Sequence, residues 1–455
     1  MKATALIFLL SACSLALAAP ERIIPAAPIT LAEAESVALR HAPEIAAAYF
    51  QAEAAKQVVR ETRAGFFPQL NAEFTAVGTG EDLSDGFNSA ATNPGQTNRL
   101  GATGGLNNPT VLSRESNGVT ISQLITDFGR TSNLTAASRL YARSEAEKSL
   151  ATKAVVLFQV DKAYIKTLES EALLTVAQQT VAARQLVLDQ VSALVNSKLK
   201  SDIDLSIAKV SVGQANLLLA QAQNTLDEAQ AELSAALGCH QLHRFTLVEE
   251  PQYPLPASDP QNLVLQALQY RPEVAALRAE AAGASRYASA EREARFPKIT
   301  AMGSAGRTPI GDPGVEGNYS AAGINVEVPI FDGGRLSARY QEAVLKQRAA
   351  QKRVEEEEEH VTKDVNITWL DVYAASKKIA VIKDLFSSAN EALDLAKSRF
   401  QLGAISMVDL SQAQLNATRA EIEYAGAKYE YQMQCIKLEF ATGALKFRTP
   451  LQGVR

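Results

Sequence analysis

Two periodicities alternate along the chain. From Leu31 to Arg63, and again from Asn262 to Arg295, apolar positions recur at helical spacing, and Thr30 with Glu33 forms a capping-box pattern ahead of the first. Pro43 and Pro272 fall inside these patterns and are expected to kink them or mark first turns. No Gly or Pro interrupts Arg130–Val212 or Arg335–Leu402, stretches rich in Ala, Leu, Lys, Gln and Glu. As one helix, the 68 residues from Arg335 to Leu402 would extend about 100 Å. Each long helix is expected to reverse at a polar tip, 196–202 or 401–406. A shorter helix then returns to a C-capping glycine, Gly238 or Gly443. In the first half, the two shorter helices together match the long one in length and would stack end to end along it.

Between the first helix and the long helix the period changes to two. Leu70, Ala72, Phe74 and Ala76 alternate with Asn71, Glu73, Thr75 and Val77, and Val119, Ile121 and Ile125 alternate with Thr120, Ser122 and Thr126. In the second half Ala322, Ile324, Val326, Val328 and Ile330 alternate with Gly323, Asn325 and Glu327. Strands of about ten residues with one apolar and one polar face fit a transmembrane β-barrel. Taken singly, they also fit a half-buried soluble hairpin.

The order of elements is duplicated. Ala42-Pro43-Glu44-Ile45 recurs as Arg271-Pro272-Glu273-Val274, and Phe67-Pro68 as Phe296-Pro297, both at an offset of 229. Further on, Asp127-Phe128-Gly129-Arg130 matches Asp332-Gly333-Gly334-Arg335, and Ser201-x-x-Asp204 matches Ser406-x-x-Asp409, at an offset of 205. The lost residues lie between Leu70 and Asp127, where Gly78–Asn117 reads as a Gly/Asn/Ser-rich loop. The chain divides into a first repeat at 29–238, a connector at 239–260, a second repeat at 261–443 and a tail at 444–455. Four strands cannot close a barrel, since bacterial barrels begin at about eight, and open edges are tolerated by neither water nor lipid. The chain is therefore expected to oligomerise. Pore strands joined to rods of this length point to a conduit rather than a catalyst.

Composition refines this picture. The 455 residues are 47% hydrophobic and 21% charged, with a formal net charge of -5 and interspersed signs, which argues against a nucleic-acid partner. After the first twenty residues no apolar run approaches the ~20 residues of a spanning helix, so a helical membrane protein is not expected. Residues 1–18 read as an export signal, with Ala16-Leu17-Ala18 offering a cleavage site. The alternative is a lipobox at Leu10-Ser11-Ala12-Cys13, in which residues 1–12 are removed and Cys13 is lipidated. Cleavage after Ala18 is the preferred reading.

Rival sites are weak. Cys239-His240-x-x-His243 lacks a fourth metal ligand and reads as a connector turn. Glu355–Glu359 spreads around a helix and reads as a solvated face, with partial tunnel lining as the alternative. Trp369 reads as packing. There is no phosphate loop, zinc spacing or nucleophile elbow, so no enzyme and no cofactor is expected.

The chain resembles the outer-membrane efflux protein family, the TolC-like outer-membrane factors. The resemblance rests on Ile29-Thr30-Leu31-Ala32-Glu33-Ala34 leading to His41-Ala42-Pro43-Glu44, the Phe-Pro steps, Val328-Pro329-Ile330-Phe331-Asp332-Gly333-Gly334-Arg335, and the second tip from Arg399-Phe400 through Gly403 and Ser406 to Asp409-Leu410. It implies a mostly α fold with a β part. Long antiparallel helical hairpins would form a trimeric α-barrel, and four strands per chain would enter a 12-stranded barrel in outer-membrane lipid. The implied partners are a periplasmic adaptor and an inner-membrane transporter of RND or ABC type, serving efflux or type I secretion. The resemblance places Asp409 in an acidic ring at the closed periplasmic mouth, with Gln412 where many members carry a second aspartate. The plain alternative is that Asp409 caps the returning helix, as Asp204 is expected to do. Lys198, Ser201, Asp204, Gly403 and Ser406 are the implied adaptor-contact tips. Lys198 stands where the pattern has glycine, which puts the shape of the first tip in question. A soluble periplasmic coiled-coil scaffold or adaptor is the rival reading; it explains the rods but not the alternating strands.

Overall fold

The computed structural model describes residues 28–77, 114–239, 241–249, 251, 253, 259–310 and 318–447. The stretch read as an export signal, with Cys13, residues 78–113 of the stretch read as a loop, His240 and residues 448–455 lie outside them.

Each repeat runs helix, helix, hairpin, long helix, returning helix. In the first, α1 (Leu31–His41) and α2 (Pro43–Ala64) precede β1 (Gln69–Val77) and β2 (Arg114–Thr126), followed by α3 (Arg130–Asn196) and α4 (Asp202–Ala236). In the second, α5 (Pro260–Tyr270) and α6 (Pro272–Glu293) precede β3 (Lys298–Ile310) and β4 (Asn318–Glu327), then α7 (Arg335–Gln401) and α8 (Met407–Ala441). A short 3-10 turn, Ala444–Phe447, follows.

The two prolines break the first helix of each repeat rather than bend it. Ala42 and Arg271, each before a proline, take extended ψ values of 118° and 124°, and the proline becomes the first residue of the next helix. Thr30 and Glu33 form the expected capping box on α1. The long helices begin at matching turns. Gly129 and Gly334 have φ of 106° and 86°, and the side chains of Asp127 and Asp332 accept the N–H groups of Thr131 and Leu336 at 2.8 Å.

Helices α3 and α7 have 67 residues each, about 100 Å of rod. Along α3, α2 covers one half and α4 the other, while α1 and the end of α4 meet near the middle. The core there joins Ala34, Ala38 and Ile45 to Val156, Val160 and Leu168, and to Leu233 and Leu237. The second repeat repeats this joint with Ala267 and Val274 against Val361, Val365 and Ala441. The repeats are tied together by α6, which packs on both long helices, by α3 against α8, and by strand β2 beside β3.

The strands form one antiparallel sheet in the order β1-β2-β3-β4, leaving β1 and β4 as edges without a partner strand among the described residues. The register places Leu70, Val119, Ala305 and Ala322 on one face with Phe74, Ile121, Ile324 and Val326. Asn71, Thr120, Ser304 and Ala321 are on the other with Ser122, Thr300, Asn325 and Glu327. The apolar face is bare: Phe74 is 82% exposed and Ile324 70%.

Two sequence expectations need correction. Strand β2 starts at Arg114, inside the stretch read as loop, because its Asn, Gly and Ser residues pair with β1 regardless of composition. Strand β4 stops at Glu327, although alternation continues to Ile330, because Pro329 has no N–H to donate to a ladder. By length and composition alone, helix α4 would pass for a membrane-crossing helix among the described residues, yet it holds no unbroken apolar run of spanning length. Its Ala, Leu and Val are interleaved with Gln, Ser and Asn, so it is apolar only on average. Ala208, Ala215, Ala222 and Ala229, seven residues apart, are its buried seam.

Candidate functional site

Both hairpins end at the same level, and their tips are built alike. Helix α3 closes with the Leu199 N–H on the Leu194 carbonyl at 2.8 Å, and α7 with the Ala404 N–H on the Arg399 carbonyl at 2.9 Å, the six-to-one bond of a Schellman cap. The left-handed residue this requires is Gly403 (φ 73°) at the second tip and Lys198 (φ 58°) at the first. The question over the first tip is thereby answered. Lysine adopts the glycine conformation, and the two tips have one shape.

The returning helices start with matching capping boxes. The Ser201 N–H and Oγ donate to Asp204 Oδ2 at 3.1 and 3.0 Å, and the Ser406 N–H and Oγ donate to Asp409 Oδ2 at 3.1 and 2.7 Å. These bonds, the Ser406 hydroxyl first, hold the exposed Asp409 carboxyl below its ordinary range. All of them fall on Oδ2. Gln412 turns away, donating to Asn416 Oδ1 at 3.0 Å.

The structure brings the two tips together. Val191 and Ala208 of the first hairpin share a core with Phe400, Met407 and Leu410 of the second. The Lys200 ammonium lies 4.6 Å from the centre of the Phe400 ring. The Ser211 and Ser411 hydroxyls bond at 2.8 Å.

One participant was missed by sequence reasoning. Arg184 of α3 is buried between the hairpins, bonded to Gln414 Oε1 and, at 3.4 Å, to Thr418 Oγ1 of α8. Burial pushes its guanidinium down to about 10. The signal was in the spacing. Ala177, Thr180, Arg184 and Val191 follow one helical stripe, and all are buried.

At the rival sites the described residues make local and packing contacts, and His240 lies outside them. Cys239 closes α4 through its N–H on the Ser234 carbonyl, and the His243 N–H bonds Ser234 Oγ at 3.2 Å. No cluster of potential metal ligands occurs among the described residues. The glutamate run is only partly solvated, because Glu358 accepts from Arg278 of α6 at 2.7 Å while Glu355 and Glu359 are exposed. Trp369 stacks on Tyr373, ring centres 5.7 Å apart.

Comparison with known proteins gives this fold a family. The sequence profile described as "Outer membrane efflux protein" matches residues 35–239 and 263–444. The chain belongs to the outer membrane efflux protein family. BepC of Brucella suis, an outer membrane efflux protein, is 26% identical over 241 residues, which are 50% of this chain and 52% of BepC. TolC of Escherichia coli is 24% identical over 123 residues, 27% of this chain and 25% of TolC. The chain thus spans about half the length, or less, of the curated relatives it matches. The solved structure of CusC superposes with a TM-score of 0.77 over 91% of this chain and 92% of CusC, at 21% identity. Family membership places the protein in the outer membrane and sets aside the soluble scaffold or adaptor. The family is one of channel proteins rather than enzymes.

Proposed function

We propose that this efflux-family chain is one third of a passive trimeric duct. It carries substrates out of the cell from an inner-membrane transporter of RND or ABC type through a periplasmic adaptor. The carrying observation is the four-stranded sheet, with two open edges and a bare apolar face, fused to paired rods of about 100 Å. In lipid such edges must find strands, and three copies supply 12 in a closed barrel with room for a pore. The rods of three copies then continue the pore as a tunnel of long helices into the periplasm. No catalytic step and no cofactor enter this reading.

At the far end, the paired tips form the periplasmic mouth. Asp409 faces its two counterparts across the three-fold axis as a cation-attracting ring, with Gln412 one turn on giving a weaker second level. Lys198, Ser201, Asp204, Gly403 and Ser406 are the surface offered to the adaptor. The test is purification from outer-membrane fractions followed by planar-bilayer recording. A heat-modifiable trimer with discrete conductance is expected, and a soluble periplasmic monomer without conductance would sink the proposal.

A further inference from the structure

Arg184 is a buried cation whose direct bonds reach no carboxylate among the described residues. No ion pair reaches it among the described residues, and its bonds go to the neutral side chains of Gln414 and Thr418. Two other buried ions have a counter-charge at hand: Glu291 is met by Arg339 at 2.9 Å, and Lys153 lies in the field of Glu35. Burying a lone charge is costly, and helix packing alone does not call for one on a stripe of Ala, Thr and Val.

Arg184 also borders an open, groove-like cavity of about 600 Å³ between α4 and α8, a volume suited to a small organic molecule. The remaining walls are mainly apolar, with Ile203, Val210, Val408 and Leu415 the largest exposed contributors. Ser206, Ser211 and Ser411 add hydroxyls. The one carboxylate in the lining, Asp202, is exposed in the first turn of α4.

We propose that this cavity binds an amphipathic organic monoanion, with its carboxylate on the Arg184 guanidinium and its alkyl chain along Ile203, Val210, Val408 and Leu415. A single guanidinium with apolar walls suits one weakly hydrated charge carrying an apolar tail. A multiply charged phosphate would leave charge unmatched and would be repelled by Asp202. The ligand would touch α3, α4 and α8 at once and so brace one hairpin against the other just above the tips. The site is a property of the folded chain and does not depend on conduction.

The test is calorimetric titration of the full-length protein in lipid nanodiscs with octanoate, referenced to empty nanodiscs, with octan-1-ol and octylamine as neutral and cationic counterparts. Saturable binding of one octanoate per chain is expected, with octanol weaker and octylamine unbound. Arg184→Gln should weaken octanoate by at least about tenfold and leave octanol unchanged. Val210→Trp, which narrows the cavity from an exposed position and spares Arg184, should abolish octanoate binding even if Arg184→Gln fails to assemble. Absence of saturable octanoate binding, equal affinity for octanol, or octanoate binding indifferent to either substitution would overturn the proposal.

Discussion

The main-chain carbonyl of His41 lies 3.2 Å from where a Cβ on Gly238 would stand. This contact is the joint at which α4 ends against the break between α1 and α2, and the second repeat reproduces it. There a Cβ on Gly443 would stand 3.1 Å from the backbone nitrogen of Arg271. Both glycines are left-handed, with φ of 74° and 73°. A side chain at either place meets backbone, which cannot turn aside, in a conformation that L-residues disfavour. Gly238→Ala and Gly443→Ala should each destabilise the chain by about 2 kcal/mol, similarly in the two repeats. Denaturant unfolding of the purified protein reads this directly.

The tips allow the converse experiment. Lys198 pays for a left-handed backbone that Gly403 occupies without strain. Lys198→Gly should therefore stabilise the first tip by about 1 kcal/mol, and Gly403→Ala should weaken the second by a similar amount. Hydrogen exchange of the amides at 197–199 and 402–404 would register opposite changes in protection.

Near the middle of α3, the buried Tyr164 hydroxyl lies 2.9 Å from the Ile29 carbonyl and 2.7 Å from that of Val248, and accepts from the Val248 N–H at 3.1 Å. It pins the segment entering α1 and the connector after α4 to the rod, beside the bridge between Ile29 and Leu247. Tyr164→Phe keeps the ring but leaves these groups short of a partner, at a cost of about 1–3 kcal/mol. The same loss should appear as faster proteolysis within the connector, 239–260.

The regular parts of this fold were open to reading because they repeat. A duplicated Pro-Glu step, an Asp-x-Gly-Arg turn and a Ser-x-x-Asp start each fix a helix boundary by local chemistry, and local chemistry is written in sequence. What escaped depends on distant partners. Arg184 lies more than two hundred residues from Gln414, and its burial comes from the meeting of two hairpins. The start of β2 at Arg114 was hidden for the same reason: a strand held by its neighbour β1 need not look like one. Lys198 shows the reverse error, a departure from pattern that the backbone absorbs.

Asp409 has two roles assigned to it, and they respond to different perturbations. As a cap it accepts from Ser406, and those bonds lower its pKa below the ordinary 3.8. The cap's contribution is then complete above 3.8 and is lost as pH falls through the lower, folded value. As a member of a three-fold ring it would feel two like charges, which push the pKa the other way. A conductance or cation block that titrates above 3.8 reports the ring, and one that titrates only below it reports the cap. Substitution separates them again. Ser406→Ala should cost the tip about 1 kcal/mol while leaving cation block intact, because the charge remains. Asp409→Asn should relieve cation block and change conductance at neutral pH, since the ring loses its charge while the amide oxygen still accepts from Ser406. If single-channel recordings of Asp409→Asn match the parent in both respects, Asp409 is a cap and nothing more.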